Sequence, residues 1–113
     1  MKITELEPEP VNKVLFKNSE FKKIMLKSGC YVLTNFENDI LYIGLAVNLN
    51  KRFLQHLDNP EKTNPTNEGK AIWFYFIEFD EKNLQKLERT WLNKFTSILG
   101  RLPILNKINS PIH

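Results

Sequence analysis

Residues 29–44 read Gly29-Cys30-Tyr31-Val32-Leu33-Thr34-Asn35-Phe36-Glu37-Asn38-Asp39-Ile40-Leu41-Tyr42-Ile43-Gly44. Cys30 to Thr34 and Ile40 to Ile43 are β-branched, aromatic or aliphatic, and each run has strand length. Asn35 to Asp39 between them is rich in turn-forming side chains. A gap that short joins antiparallel neighbours, so the stretch is predicted to be a hairpin ending at Gly44. With the turn centred near Phe36, Tyr31 falls roughly opposite Tyr42. Directly opposed residues share a face. Both phenols are therefore expected on one side of the sheet, and a one-residue slip in strand phase would separate them.

Beyond the hairpin, Asn48 is placed to cap a helix running to about Leu57. Asp58 to Lys70 holds two prolines, a glycine and three asparagines and reads as a long polar loop. Ala71 to Phe79 is nearly all apolar, the pattern of a central strand covered on both faces. A helix is predicted from about Glu81 to Leu99, closed by Gly100. Pro103 to Ile108 forms a short closing segment. Before the hairpin, the first ten residues carry Glu5, Glu7, Glu9, Pro8 and Pro10 and read as an irregular lead-in. Ser19 to Leu26 is expected to form a short helix with Phe21, Ile24 and Met25 on one side, broken at Ser28-Gly29. The expected class is α+β: a small three-stranded antiparallel sheet flanked by helices, in the order β-β-α-β-α.

A chain of 113 residues with 42% hydrophobic and 26% charged residues suits one globular domain. The net charge of +3 is compatible with a polyanionic partner and does not require one. Cys30 is the only cysteine, which excludes a disulfide framework and a thiolate metal cage and points to a reducing, cytoplasmic setting. No apolar run reaches membrane-spanning length, and the acidic N-terminus has no apolar signal core.

One residue conflicts with its surroundings. At 100° per residue, Leu84, Trp91, Leu92, Phe95, Ile98 and Leu99 make one apolar stripe, and Glu88 falls inside it. An unpaired buried carboxylate costs several kcal/mol or more. Glu88 thus needs a basic partner, a proton or a metal, and a structural ion pair explains it as well as a functional site does. On the preceding helix Leu49, Phe53 and Leu57 form the apolar stripe. Arg52 and His56, four apart, neighbour each other at its border. Taken alone, they read as a snorkelling surface cation and a half-buried polar residue.

Together these features resemble the GIY-YIG nuclease superfamily. The first signature stands as Gly29-Cys30-Tyr31 and the second as Tyr42-Ile43-Gly44. Arg52 lies in Asn48-Leu49-Asn50-Lys51-Arg52, His56 follows at the family's spacing, Glu88 is the helical acid, and Asn106 in Pro103-Ile104-Leu105-Asn106 matches the late asparagine. Six elements in order are specific in a way that a lone Tyr-Ile-Gly is not. Two positions depart from the pattern. Cys30 replaces the usual Ile or Val and reads as core filling. Leu45 stands where many members carry Lys or Arg, so one cation near the tyrosines is missing.

The resemblance implies a division into an N-terminal extension with its short helix (1–28), a nuclease domain (29–108) and a C-terminal tail (109–113). It implies an endonuclease dependent on one divalent cation, Mg²⁺ or Mn²⁺, held by Glu88 in the manner typical of Mg²⁺. Tyr31 is expected as general base, Tyr42 as the group positioning water or phosphate, Arg52 as phosphate ligand, and His56 as orienter of Tyr31. Gly29, Gly44 and Asn106 are expected as support. The partner is nucleic acid, with DNA favoured on family grounds, read with low sequence specificity or with help from a homodimer mate or another protein. A catalytically silent nucleic-acid-binding or interaction module on the same fold is the alternative, and it predicts salt-dependent binding without cleavage.

Overall fold

Four strands, β1 (Asn12–Leu15), β2 (Gly29–Thr34), β3 (Ile40–Ala46) and β4 (Trp73–Glu78), form one antiparallel sheet in the order β1-β4-β2-β3. The computed structural model describes residues 1–106; the tail expected over 109–113 lies outside them. The α+β class stands, with one strand more than expected. The extra strand is β1, which pairs Asn12 to Leu15 with Phe76 to Trp73. Four residues with one buried apolar side chain, Val14, carry too little periodicity to announce a strand. β1 nevertheless completes the sheet, because β4 is apolar enough to be flanked on both edges.

The hairpin register differs from expectation by two residues. Tyr31 faces Gly44, and Tyr42 faces Leu33, with an irregularity between Leu33 and Thr34. The turn is set by the Asn35 side chain, whose Oδ1 accepts from the backbone N–H groups of Glu37 and Asp39, both at 2.9 Å. A shift by an even number preserves the face, so Tyr31 and Tyr42 still share one side.

Helices cover both faces. Helix α1 (Leu49–Leu57) starts at Asn48, whose side chain accepts from the Lys51 N–H. It closes a core containing Tyr31, Leu33, Phe53, Phe74 and Phe76. On the other face, Cys30, Val32, Ile43 and Tyr75 pack against α3 (Leu84–Leu99), which ends at Gly100 in the left-handed region (φ 73°). The stretch 58–70 is not a bare loop: Asn59 caps the one-turn helix α2 (Pro60–Thr63), and Pro60 takes its first position. Among the described residues no helix is long and apolar enough to cross a membrane.

The apolar stripe of α3 is rotated from the expected one. Its buried residues are Leu84, Leu87, Trp91 and Phe95, whereas Ile98 and Leu99 are 48% and 39% exposed. The last turn runs past the sheet, so its apolar residues do not count toward the core. Leu87, which the expected stripe left out, turns the centre of the stripe away from Glu88, and Glu88 lies on its flank, half-buried.

The lead-in is irregular, as expected, yet it is packed. Ile3 and Leu6 are buried in the α3-side core, and the buried Trp91 donates its indole N–H to the Pro8 carbonyl at 3.0 Å. The expected helix over Ser19–Leu26 is a 3-10 segment, Asn18–Lys23, with Ile24 buried and Met25 exposed. Leu6→Ala should lower unfolding stability by about 2–4 kcal/mol, measured by denaturant titration. A loss below about 0.5 kcal/mol would show that the lead-in is surface decoration.

Candidate active site

Gly44 makes the site possible. A methyl group built on it would stand 2.7 Å from both Cζ and Oη of Tyr31 and 2.8 Å from Cε2 of Tyr42. The absent side chain lets the phenol rings approach with centroids 5.9 Å apart. Tyr31 cannot retreat, because its fully buried ring stacks on Phe74 at 5.1 Å. Gly29 serves the same purpose for the backbone: a Cβ there would strike the Ile77 carbonyl oxygen.

From α1, His56 comes within 5.5 Å of the Tyr31 ring and 5.3 Å of the Tyr42 ring. Its Nε2 lies 2.6 Å from the Tyr31 hydroxyl. Burial, reinforced by the charges of Lys62 and Arg52, pushes the His56 pKa down to about 3. Burial first, and Tyr42 second, push the Tyr31 phenol well above its ordinary value, against the pull of Arg52. At neutral pH the pair is thus phenol and neutral imidazole, and the imidazole tautomer sets which of the two donates. Both shifts oppose a phenolate–imidazolium pair.

Tyr42 is only half-buried. Burial raises its pKa, while the Tyr31 hydroxyl and the Arg52 charge lower it and Glu88 raises it again. Arg52 is anchored by Nη1 to the Leu45 carbonyl at 3.3 Å and by Nε to Gln55 Oε1 at 3.0 Å. The Glu88 charge acts on both the Tyr42 phenol and the Cys30 thiol, which places the carboxylate beside β3, the sheet edge against which α3 packs. Burial raises the Glu88 pKa, and Arg89 pulls it back. None of the ion pairs among the described residues involves Glu88, so no structural ion pair among those residues explains it. Cys30 is buried, its pKa pushed up to about 12 by burial and then by Glu88, as an inert core thiol should be.

Asn106 clamps the outer edge of β3. Its Oδ1 accepts from the Ile43 N–H and its Nδ2 donates to the Ile43 carbonyl, both at 2.9 Å. One side chain thus satisfies both edge groups of the residue next to Tyr42. The structure gathers Tyr31, Tyr42, Arg52 and His56 on the α1 face and sets Glu88 beside the sheet edge. It also adds Lys62, which sequence reasoning left in a loop. The Lys62 ammonium stands 4.9 Å from the Tyr42 ring centroid.

Residues 27–101 match the GIY-YIG catalytic domain. The chain belongs to the GIY-YIG family. Among curated proteins it is similar to UvrABC system protein C of Mycoplasma mycoides subsp. mycoides SC, 34% identical over 71 residues, which is 61% of this chain and 12% of that protein. The protein of the same name from Mycoplasmoides gallisepticum is 37% identical over 57 residues, covering 50% of this chain and 9% of the relative. The chain therefore spans about an eighth or less of the length of these relatives. The family match covers the two glycines, both tyrosines, Arg52, His56 and Glu88, and it stops short of Asn106.

Two outcomes follow from this GIY-YIG site. Gly44→Ala should cost about 1–3 kcal/mol by overpacking and shift the Tyr31 and Tyr42 ring resonances in NMR spectra; unmoved rings would show that the pocket has spare room. His56 has a folded pKa depressed from 6.5 to about 3, so the unfolded chain takes up the proton first. Stability is intact above about pH 6.5 and should fall by roughly 1.4 kcal/mol per pH unit down to about pH 3. Denaturant titrations over that range should show His56→Gln with a flatter acid limb than the parent. Parallel limbs would show that the imidazole is not buried neutral.

Proposed function

We propose that this GIY-YIG domain is a divalent-metal-dependent endonuclease that hydrolyses phosphodiester bonds, with DNA as substrate. The observation that carries the reading is the convergence of Arg52 and two phenols around Gly44, beside a half-buried Glu88 that no ion pair among the described residues uses. No group of three His, Cys, Asp or Glu among the described residues is placed to hold a metal. The donor set is one carboxylate, which fits the habit of Mg²⁺: one or two carboxylates, with water and substrate phosphate completing the shell. The raised pKa and missing ion-pair partner of Glu88 fit a cation as well. Glu88 would hold Mg²⁺ or Mn²⁺, and the ion would supply charge neutralisation at the phosphate and leaving oxygen.

The chain's own residues divide the remaining work. Arg52 offers the phosphate a guanidinium fork held by the Leu45 carbonyl and Gln55. Tyr31, expected from the resemblance as general base, is sealed from solvent with its hydroxyl committed to His56. We therefore assign the base to Tyr42, whose phenol is half-exposed, and assign Tyr31 and His56 to holding Tyr42 in place. Tyr42 accepts the proton of the attacking water, and Arg52 favours the phenolate that must do so. Because burial raises the Tyr42 pKa, the rate should climb as pH rises above neutral. Asn106 fixes the strand beside it. Specificity is inferred to be weak, with the polar stretch 58–70 or a second protein or copy supplying what selection there is. A single buried free thiol suits a reducing cytoplasm.

Supercoiled plasmid with Mg²⁺ or Mn²⁺ tests this directly. Nicking should be lost in EDTA and should drop on the order of a hundredfold or more in Glu88→Ala and Tyr42→Phe. Cleavage that persists in EDTA and in Glu88→Ala would overturn the reading. Salt-dependent binding with no cleavage under any metal would favour the catalytically silent module instead.

A further inference from the structure

Position 45 offers no cation to the phenols: Leu45 is turned into the α3-side cluster and contributes only its carbonyl oxygen, to Arg52. The phenol-bearing face nevertheless has a second cation. Asn59 caps α2 by accepting the Glu61 N–H at 3.0 Å, and Pro60 fixes its first turn. This short helix carries Lys62 over the Tyr42 ring, with Nζ 4.9 Å from the centroid. Lys62 is half-buried, and none of the ion pairs or hydrogen bonds among the described residues uses its ammonium. The Arg52 donors, by contrast, are partly taken by protein acceptors.

A half-buried ammonium with three donors that no protein group among the described residues takes up is free to meet an arriving anion. Burial lowers the Lys62 pKa, with Glu61 opposing, and its charge reaches His56. The ring of Tyr42 compensates in part through the cation–π attraction, but a ring face accepts no conventional hydrogen bond. The Lys62 and Arg52 charges both reach His56, beside Tyr42, so both cations lie on the phenol-bearing side of the sheet.

We infer that Lys62 is a substrate-contacting residue of this site: its ammonium binds a backbone phosphate at Tyr42 and supplies, from α2, the cation that Leu45 does not. The inference rests on the nuclease reading for its kinetic consequence, though not for the binding itself. It gives the stretch 58–70 a defined task, since that stretch exists to hold α2 against the phenol.

The test uses the whole chain and a DNA duplex oligonucleotide. Lys62→Met keeps an apolar stem over the Tyr42 ring while removing the charge. Lys62→Arg keeps the charge, and Lys82→Met, at an exposed position before α3, controls for net charge. In EDTA, the slope of log affinity against log salt should shrink by about 0.9 in Lys62→Met and stay at the parent value in Lys62→Arg and Lys82→Met. With Mg²⁺ and saturating duplex, single-turnover cleavage should fall by roughly ten- to a hundredfold in Lys62→Met and recover most of that in Lys62→Arg. Circular dichroism and thermal unfolding check that each variant is folded. A Lys62→Met protein with the parent's salt slope and cleavage rate overturns the inference. A parent whose binding depends on Lys62 but which never cleaves sinks the nuclease reading and leaves the phosphate contact standing. A parent that does not bind the duplex overturns both.

Discussion

The hydrogen bond between the Tyr31 hydroxyl and His56 Nε2 ties strand β2 to helix α1 in the middle of an apolar layer. Two polar groups sealed from water must satisfy each other or cost several kcal/mol, so this one contact fixes the distance and rotation of α1 over the sheet. Arg52 stands one helical turn before His56 and is carried to the site by the same constraint. Tyr42 is then fixed on three sides: by Tyr31, by His56, and by the Asn106 clamp on its neighbour Ile43. Gly44 is the steric condition for all of it.

Most of this fold was legible because its signals are redundant. The hairpin has turn chemistry, strand composition and a terminating glycine in agreement. Its register was misplaced by two residues, since no sequence rule foretells the irregularity at Leu33/Thr34. The error did no harm to the site, because facing depends only on parity. β1 and the packed lead-in were not legible: Ile3 and Leu6 are isolated apolar residues in polar stretches, and Val14-Leu15-Phe16 is too short a run to show a period. Their burial comes from surfaces that other elements present, which is tertiary information.

The site was legible unevenly, for a similar reason. Arg52 and His56 sit on a capped helix, and helical spacing alone makes them neighbours. Glu88 drew attention as a carboxylate within an apolar stripe, but the stripe was drawn too far along the helix. Leaving out Leu87, which is buried, and counting Leu92, which is only half-buried, put Glu88 at the centre instead of the flank. On the flank, too, a half-buried carboxylate outside every ion pair of the described residues is suited to a cation. The roles expected for the two phenols came from the resemblance, because their strand environments look alike and the exposure that separates them is tertiary information. Lys62 was hidden, since a one-turn helix in a polar stretch carries no periodic signal.

The electrostatics of the site have a common direction. Burial pushes Tyr31, Tyr42 and Glu88 upward and His56 and Lys62 downward. Each shift favours the neutral form, so without substrate the site resists carrying charge. On the proposed reading, a nucleic-acid phosphate and a divalent cation arriving together reverse the argument for Glu88, Tyr42 and Lys62. The cation favours ionised Glu88 and a phenolate at Tyr42, and the phosphate favours charged Lys62. On that reading substrate and metal would bind more tightly together than either alone, because each supplies the charge that makes the other's ligands worth ionising. A site of this kind would need few residues, since the reactants themselves complete its charge. One carboxylate, one guanidinium, one ammonium and two phenols would then be a sufficient set on so small a sheet.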